Sequence, residues 1–449
     1  MRRGNSNVNQ ITEGVIWRQL LLFFFPIVFG TFFQQLYNTI DTVIVGHFVG
    51  KEALASVGGS STQIINLIVG FFTGLSSGAS VVIAQFFGAK DERTVHQSLH
   101  TAYAFSIAGS IVISILGIIL APSMLEWMHT PEEIMADSAM YLRIYFAGIL
   151  FVFIYNMGSS VLRATGDSKH PLYYLIFCCF MNIILDVLFV VVFHMGVLGV
   201  ALATFISQAC SAVLVTRKLM VSEGILKLFI RQIRLHKSVL KSQLRIGLPA
   251  GFQSVMYSIT NVIIQAALND FGTNTAAAWS VFGKLDAVFW MVSSAFGISI
   301  TTFVGQNYGA KKTDRIKRST RVCLGIDFLV SAVLVIFLVL ARTFLFRLFT
   351  NDAEVIRIGC EMLLLITPWY VVFVIIEILS GSLRGIGDVV IPMIITMCGV
   401  CLLRVIWIIG ALKIKPTIPV IIFSYPVTWI LTAILFIIYY FYRMKKFKM

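Results

Sequence analysis

The sequence predicts an all-α membrane protein with twelve transmembrane helices in two six-helix bundles related by pseudo-two-fold symmetry. Three observations predict this fold class: an apolar composition, twelve long apolar stretches and an internal duplication. The 449 residues are 58% hydrophobic and only 12% charged. A water-soluble domain of this size cannot bury so much apolar side chain, whereas a lipid bilayer tolerates it on the surface.

Each of the twelve apolar stretches is long enough to cross a bilayer. A helix needs about 20 residues, at about 1.5 Å each, to cross a hydrocarbon core about 30 Å thick. In chain order the stretches cover 17–45, 53–75, 96–121, 138–161, 171–193, 196–216, 244–268, 276–303, 321–341, 357–382, 390–411 and 418–442. No small-residue cleavage site follows the first stretch, so we expect it to remain as an uncleaved helix.

The basic residues are distributed unevenly among the loops. If the spans alternate from an inside N-terminus, 26 of the 35 Lys and Arg lie in inside segments and 6 in outside loops. The positive-inside rule therefore predicts a multi-pass protein of the plasma (inner) membrane with both termini in the cytoplasm. The net charge of +14 then reflects topology, so we expect the lipid bilayer as a partner and no nucleic acid.

An internal duplication divides the chain into two repeats. Two pairs of motifs match at a single offset of 221 residues: AQFFGA (84–89) with GQNYGA (305–310), and LRATGDSKHP (162–171) with LRGIGDVVIP (383–392). Six spans per repeat give both repeats the same orientation in the membrane. We expect an N-terminal lobe at 1–216, a basic cytoplasmic linker at 217–243 and a C-terminal lobe at 244–449. The linker is amphipathic in places, which is typical of a segment on the membrane surface.

The first helix carries a polar face. Gln34, Tyr37, Asn38 and Asp41 recur at i, i+3, i+4 and i+7, so they share one side of the helix. A polar stripe within a membrane must face an aqueous cavity or another polar helix, and we expect its first three residues to line a substrate cavity. Pro26 removes a backbone hydrogen bond earlier in the same helix, which predicts either a gate or a static bend.

A second polar face lies on the fifth helix, where Asn182 and Asp186 are spaced i and i+4. Thr204 on the sixth helix is expected at a similar depth, and so is Asp41. Two carboxylates in one apolar cavity cannot both stay ionised at low cost. The pair could therefore take up a proton, or a Na⁺ together with the oxygens of Asn182 and Thr204. The alternative is that the two carboxylates only tie helices together by hydrogen bonds.

The second repeat does not carry an equivalent pair, since Trp407 aligns with Asp186. Glu377 aligns with Asn156, and we expect these two mid-helix residues to contact the substrate or a second cation. The other charged residues in the later spans are expected to be structural: Lys284, Asp286, Asp327 and Arg404. The seven Cys lie in apolar runs and the seven His show no metal-ligand spacing, so we expect neither a disulfide framework nor a cofactor besides the coupling ion.

With these residues the chain resembles the multidrug and toxic compound extrusion (MATE) family, within the multidrug/oligosaccharidyl-lipid/polysaccharide exporter superfamily. The resemblance covers nearly the whole chain and is carried by Pro26 with Asp41, by the two motif pairs, and by Asn182 with Asp186. It implies a V-shaped pair of six-helix bundles around a central cleft, which expels organic cations in exchange for H⁺ or Na⁺.

The resemblance also implies a site. In the DinF-like branch a cation site in the first bundle is built from residues that match Asp41, Asn182, Asp186 and Thr204, with a tyrosine matching Tyr141 nearby. All five residue types are present here. The NorM-like branch is known for acids in the seventh and tenth helices. Here the middle of the seventh helix has none and the tenth has only Glu377, which places the chain nearer a DinF-like or MepA-like pattern.

Residues and resemblance together predict secondary active efflux of amphipathic, often cationic small molecules through alternating access, by a monomer. Two alternatives stay open. A flippase for lipid-linked oligosaccharides or other lipids belongs to the same superfamily, but such proteins often have 14 spans and a more cationic cavity. A membrane-embedded enzyme would need a His/Asp or metal constellation on facing helices, and the sequence offers none.

Overall fold

The computed structural model describes residues 11–222 and 224–446, and this part of the chain is almost entirely helical. Twelve long helices follow one another in these ranges, and each predicted span lies within one of them to within one residue. They are α1 (Ile16–Phe48), α2 (Lys51–Gly88), α3 (Glu92–Trp127), α4 (Glu132–Ala164), α5 (Lys169–Val192), α6 (Gly196–Val221), α7 (Lys237–Asn269), α8 (Thr273–Gly309), α9 (Thr313–Arg347), α10 (Ala353–Gly385), α11 (Val390–Ile414) and α12 (Ile418–Lys446). The all-α prediction is confirmed. Residues 1–10 and 447–449, which carry part of the predicted inside charge, lie outside the described ranges.

Within the described ranges, eleven of the twelve helices are long and apolar enough to cross a membrane, and α7 is the exception. This helix has 33 residues and contains the predicted seventh span. The predicted span within α7 carries Gln253, Ser258, Asn261 and Gln265, and these polar side chains lower the mean hydropathy of the helix. Because lipid cannot satisfy polar groups, α7 can only cross the bilayer if these side chains face protein or a water-filled cavity.

Irregular backbone interrupts several of the helices. Pro26 lies inside α1 and Pro249 inside α7, so the first helix of each repeat lacks one backbone donor. The end of α5 is wound as a π-helix from Val187 to Val192, and α11 contains a second π-helical segment, Met397–Leu402. Such segments re-aim the side chains around them and recur at functional sites.

The duplicated motifs form the same turns in both repeats. Lys90 and Lys311 end α2 and α8 with φ values of 58° and 56°. Gly166 and Gly387, in the second motif pair, have φ values of 97° and 84°. Glycine at the last two positions avoids the steric cost that a Cβ atom adds in this left-handed region. Equal backbone geometry at an offset of 221 residues supports the duplication.

The helices form two compact units, each defined by its internal contacts. The described part of the first unit runs from Leu22 to Gly251, and the second unit contains Ile11–Leu21 and the chain from Phe252 onward. The units and the sequence repeats therefore divide the chain at different points. In α1 and in α7 the N-terminal section belongs to one unit and the remainder of the helix to the other.

Close backbone contact holds the N-terminal section of α7 within the first unit. Gly74 and Gly78 of α2 lie directly against this section, and a Cβ atom added at either glycine would overlap its backbone, at Gly251 or at Gln243. Small residues at such positions let membrane helices approach closely and gain van der Waals contact. The side-chain amide of Gln243 also donates to the carbonyl oxygen of Ser98 in α3 at 3.0 Å.

In the second unit Arg315 of α9 holds the segment that precedes α1. Its guanidinium donates to the carbonyl oxygens of Ile11, Glu13 and Gly14 at distances between 2.6 and 3.2 Å. It also donates to Oε1 of Gln19 at 2.9 Å. These carbonyl groups lie before the first regular turn of α1, so no helical N–H group donates to them. The side chain of Arg315 satisfies them instead.

Candidate functional site

The first unit contains a buried pair of carboxyl groups, one on α1 and one on α5. Asp41 is 8% exposed and Asp186 is 0% exposed. Their carboxyl groups lie close enough to interact directly with each other. Two ionised carboxylates have no donor, so a hydrogen bond between them requires that one of them holds a proton. The arrangement therefore suits a pair that shares one proton or one cation.

Polar atoms without partners surround this pair. Six buried atoms have no hydrogen-bond partner among the described residues: Oδ1 of Asp41, both carboxyl oxygens of Asp186, Oδ1 and Nδ2 of Asn182, and Oγ1 of Thr204. Buried polar groups are normally paired, because an unsatisfied one costs about 1–3 kcal/mol. Five of the six atoms are oxygens, which are the ligands that hard cations prefer. The donor set thus fits a small hard cation or a proton.

Tyrosine side chains form one wall of the site. Tyr141 of α4 is 8% exposed and lies close enough to interact electrostatically with both carboxyl groups. Tyr37 of α1 is half-buried and interacts with Asp41, one helical turn away. The side-chain amide of Gln208 donates to the hydroxyl of Tyr37 at 3.4 Å. These rings keep the surroundings of the pair apolar while their hydroxyls stay available for hydrogen bonds.

Two small cavities adjoin the site, and both are lined by Thr204 and Gln208. Tyr141 lines the first cavity, whereas Asn182 and Tyr37 line the second. Each has a volume of about 10 Å³. That is about the space one water molecule needs, so the site can accept an ion or a water but not a drug-sized molecule.

The residues predicted to line a substrate cavity occupy different surroundings. Gln34 and Asn38 are exposed on α1, and Asn156 is half-buried on α4 in the same unit. Glu377 is half-buried on α10 in the second unit, with its carboxyl against Gly297 of α8. Their contact with a substrate remains a prediction.

Three polar neighbours of the pair were not among the residues predicted from the sequence. Gln208 contacts Tyr37, Tyr145 interacts with both Tyr37 and Tyr141, and Cys179 lies near Asp41. The signal for Gln208 was available, since it lies four residues after Thr204 on the same face of α6. A similar signal existed for the other two, since Tyr145 lies four residues after Tyr141 on α4 and Cys179 lies three residues before Asn182 on α5.

The second unit has its own buried polar network, around two residues that we expected to be structural. Asp286 of α8 accepts hydrogen bonds from the Trp290 indole at 2.7 Å and from the hydroxyl of Tyr370. Arg404 of α11 is 3% exposed, and its guanidinium lies over the Tyr425 ring, 3.9 Å from the centroid. Stacking on aromatic faces stabilises a buried guanidinium without a carboxylate partner in direct contact.

Long apolar helices repeated in two halves, with a buried acid pair between two of them, are the architecture of a polytopic membrane transporter. The chain belongs to the MatE family, whose sequence profile matches residues 26–188 and 249–409, one segment in each repeat. The family membership confirms the resemblance drawn from the motifs. Membership of this family also decides against the alternative of a membrane-embedded enzyme: the chain is a transporter and not an enzyme.

Curated relatives and solved structures agree with this assignment. Probable multidrug resistance protein YoeA of Bacillus subtilis (strain 168) is 30% identical over 85% of this chain and 84% of its own length. Probable multidrug resistance protein YpnP of the same organism is 30% identical over 88% of both chains. A solved outward-facing conformation of a multidrug resistance MATE family transporter of the MOP superfamily is 21% identical, with a TM-score of 0.92 over 100% of both chains. The structural likeness shows a shared fold.

Proposed function

We propose that this chain is a secondary active multidrug exporter, which moves amphipathic, often cationic molecules out of the cell in exchange for H⁺ or Na⁺. The observation that carries the proposal is the buried pair of Asp41 and Asp186 with its unpartnered oxygens. The two Bacillus subtilis relatives, which are named as probable multidrug resistance proteins, support drugs rather than lipid-linked sugars as the cargo.

The pair can convert ion binding into helix movement. When a proton or a Na⁺ lies between Asp41 and Asp186, it compensates one of the two negative charges and is shared by both carboxyl groups, which holds α1 to α5. When the ion leaves, two carboxylates face each other in an apolar setting, and their repulsion favours separation of the helices. Pro26 lies 15 residues before Asp41 in α1, where the missing backbone donor provides a hinge.

Exchange follows if the ion and the drug prefer different conformations. A ligand shifts a conformational equilibrium only by its differential affinity for the two states. The ion then favours the state that releases drug, and cytoplasmic drug favours the state that releases the ion. Substrate contacts are assigned to Gln34, Tyr37, Asn38, Asn156 and Glu377. We infer a monomer in the plasma membrane with both termini in the cytoplasm.

Drug efflux from everted vesicles tests the ion-coupling role of the pair. We expect Asp41→Asn and Asp186→Asn to reduce ethidium transport, driven by an imposed H⁺ or Na⁺ gradient, to the level of vesicles without the transporter. Each change removes one ionisable carboxyl and keeps its shape, so the folded protein should still be found in the membrane.

Asp327→Asn is the matched control, because Asp327 is 0% exposed and belongs to the second unit. This variant should transport at the wild-type rate. Undiminished transport by Asp41→Asn would refute the coupling role of the pair.

A further inference from the structure

A basic cleft lies in the first unit, between the N-terminal end of α3 and the linker that precedes α7. Eight residues line it: Arg93, His96, Gln97 and His100 from α3, and Arg231, Gln232, Arg234 and His236 from the linker. We call this group the basic cleft. It has a volume of about 510 Å³, and none of the described residues that line it is acidic. The transport mechanism proposed above does not use it.

Hydrogen bonds to α3 hold the linker at both ends of the cleft. The backbone N–H of Phe229 donates to Nε2 of His100 at 3.0 Å, and the other ring nitrogen of His100 contacts the carbonyl oxygen of His96 at 2.8 Å. The backbone N–H of His236 donates to Oγ1 of Thr101 at 3.2 Å. The residues between these two points are therefore held beside α3, so the cleft is formed before any ligand arrives.

Three guanidinium groups give the cleft its charge. Arg93, Arg231 and Arg234 are exposed, and the ion pairs found in the described residues involve none of them. Arg234 donates one hydrogen bond, from Nε to His236 at 3.2 Å, which leaves its terminal N–H groups for a ligand. Burial and the nearby charge of Arg234 lower the pKa of His236, which matches its role as an acceptor.

One acidic residue close to the cleft, Asp91, is already engaged. The carboxylate of Asp91 accepts hydrogen bonds from the backbone N–H and the hydroxyl of Thr94, at 3.1 and 2.6 Å, and caps α3. It interacts with Arg93 only electrostatically. Because no ion pair among the described residues involves the three arginines, their guanidinium groups keep donors for an anion. Planar guanidinium groups bind phosphate oxygens in a bidentate manner, which makes a phosphate group the fitting anion.

Apolar side chains alternate with the arginines along the linker. Phe229, Ile230 and Leu235 are 41%, 61% and 50% exposed. A soluble phosphate would gain nothing from these side chains, whereas a phospholipid would place its acyl chains against them. Segments that combine exposed apolar and basic residues lie at the boundary of headgroups and acyl chains and favour anionic lipids.

We propose that the basic cleft binds the phosphodiester headgroup of an anionic phospholipid, with Phe229, Ile230 and Leu235 in the acyl-chain boundary. The leaflet is the cytoplasmic one, which rests on the orientation inferred under the proposed function. A lipid bound there would tie the linker, and through it the N-terminal section of α7, to the membrane surface.

Lipid binding to the purified full-length protein, measured by native mass spectrometry, tests the proposal. We expect the wild-type protein to bind phosphatidylglycerol more tightly than phosphatidylcholine, and inorganic phosphate at the same concentration not to displace it. Arg231→Gln together with Arg234→Gln should weaken phosphatidylglycerol binding about 30-fold, from about 1 kcal/mol for each basic residue near an anionic membrane surface.

Lys317→Gln together with Arg318→Gln is the matched control, because it removes two basic residues from the first turns of α9 in the second unit. This control should bind phosphatidylglycerol as the wild type does. An equal loss in both double variants would show diffuse attraction of charge, and equal affinity for both lipids would remove the case for a headgroup site. Displacement by inorganic phosphate would make it a phosphate site. Each of these results overturns the proposal.

Arg93→Gln provides a second measurement that leaves the linker sequence intact. It should weaken phosphatidylglycerol binding about fivefold, by the same charge argument. If the linker variant does not purify as a monodisperse protein, unchanged binding in Arg93→Gln overturns the proposal by itself.

Discussion

Both carboxyl oxygens of Asp186 are buried where α5 changes from α-helical to π-helical winding. The five side chains that follow Asp186 are apolar or aromatic, so the carboxyl group has no polar neighbour on its own helix in that direction. In the other direction Asn182 lies one turn earlier on α5, and other helices supply Thr204 and another carboxyl, at Asp41. Such a site is stable only with a proton or cation to share.

The number of oxygens that the coupling ion requires distinguishes Na⁺ from H⁺. A Na⁺ needs several oxygen ligands, whereas a proton needs one carboxyl. With Na⁺ as the coupling ion, Thr204→Val should raise the half-saturating Na⁺ concentration for ethidium efflux about tenfold, since one lost ligand costs about 1.5 kcal/mol. With H⁺ as the coupling ion, efflux driven by a pH gradient should not change.

Valine matches threonine in shape, so the change removes the hydroxyl with little effect on packing. Efflux in vesicles with each gradient imposed separately measures both cases, and Asp41→Asn serves as the inactive reference. Loss of efflux under both gradients in Thr204→Val would instead assign the hydroxyl a structural role.

Of the contacts between helices, that of α2 with α7 depends most on glycine, because the two backbones approach too closely for a side chain to fit between them. A Cβ atom added at Gly78 would overlap the carbonyl oxygen of Gln243, and backbone cannot move aside as the end of a side chain can. We expect Gly78→Ala to lower the thermal unfolding temperature of the purified protein, since overpacking of this kind costs about 1–3 kcal/mol.

Gly325 of α9 provides the control, because a Cβ atom added there meets nothing within 4 Å. Gly325→Ala should leave the unfolding temperature unchanged or raise it, since alanine is favoured over glycine inside a helix by up to about 1 kcal/mol. If both variants unfold at the same temperature, the close contact does not contribute to stability.

At the scale of the whole molecule, α1 and α7 each belong partly to one unit and partly to the other. In α1, Leu21 is the last residue that belongs to the second unit. Pro26 follows five residues later and belongs to the first unit. We expect Pro26→Ala to restore a backbone hydrogen bond, to raise or maintain thermal stability, and to slow ethidium efflux, because a stiffer α1 opposes the change between states.

Pro122 lies inside α3, which makes Pro122→Ala the matched control for the loss of a helix proline. The control should keep efflux near the wild-type rate. Efflux at the wild-type rate in Pro26→Ala, with unchanged stability, would mean that the bend in α1 is static and does not act as a gate.

The sequence alone determined the all-α class, the positions of the helices and the duplication. It also placed Asp41, Asn182, Asp186 and Thr204 on faces that the structure brings into one site. These features follow from local patterns, since the 3.6-residue period decides which side chains share a face and an apolar run decides which segment can lie in lipid.

Only the tertiary structure decided which faces meet. The contact of Gln208 with Tyr37, the position of Arg404 over Tyr425, and the assignment of Ile11–Leu21 to the second unit join residues far apart in the chain. Periodicity along one helix carries no information about its neighbours. In lipid, where apolar burial does not drive helices together, close packing and interhelical hydrogen bonds select the partners, and these depend on the shapes of surfaces that form only after the helices do.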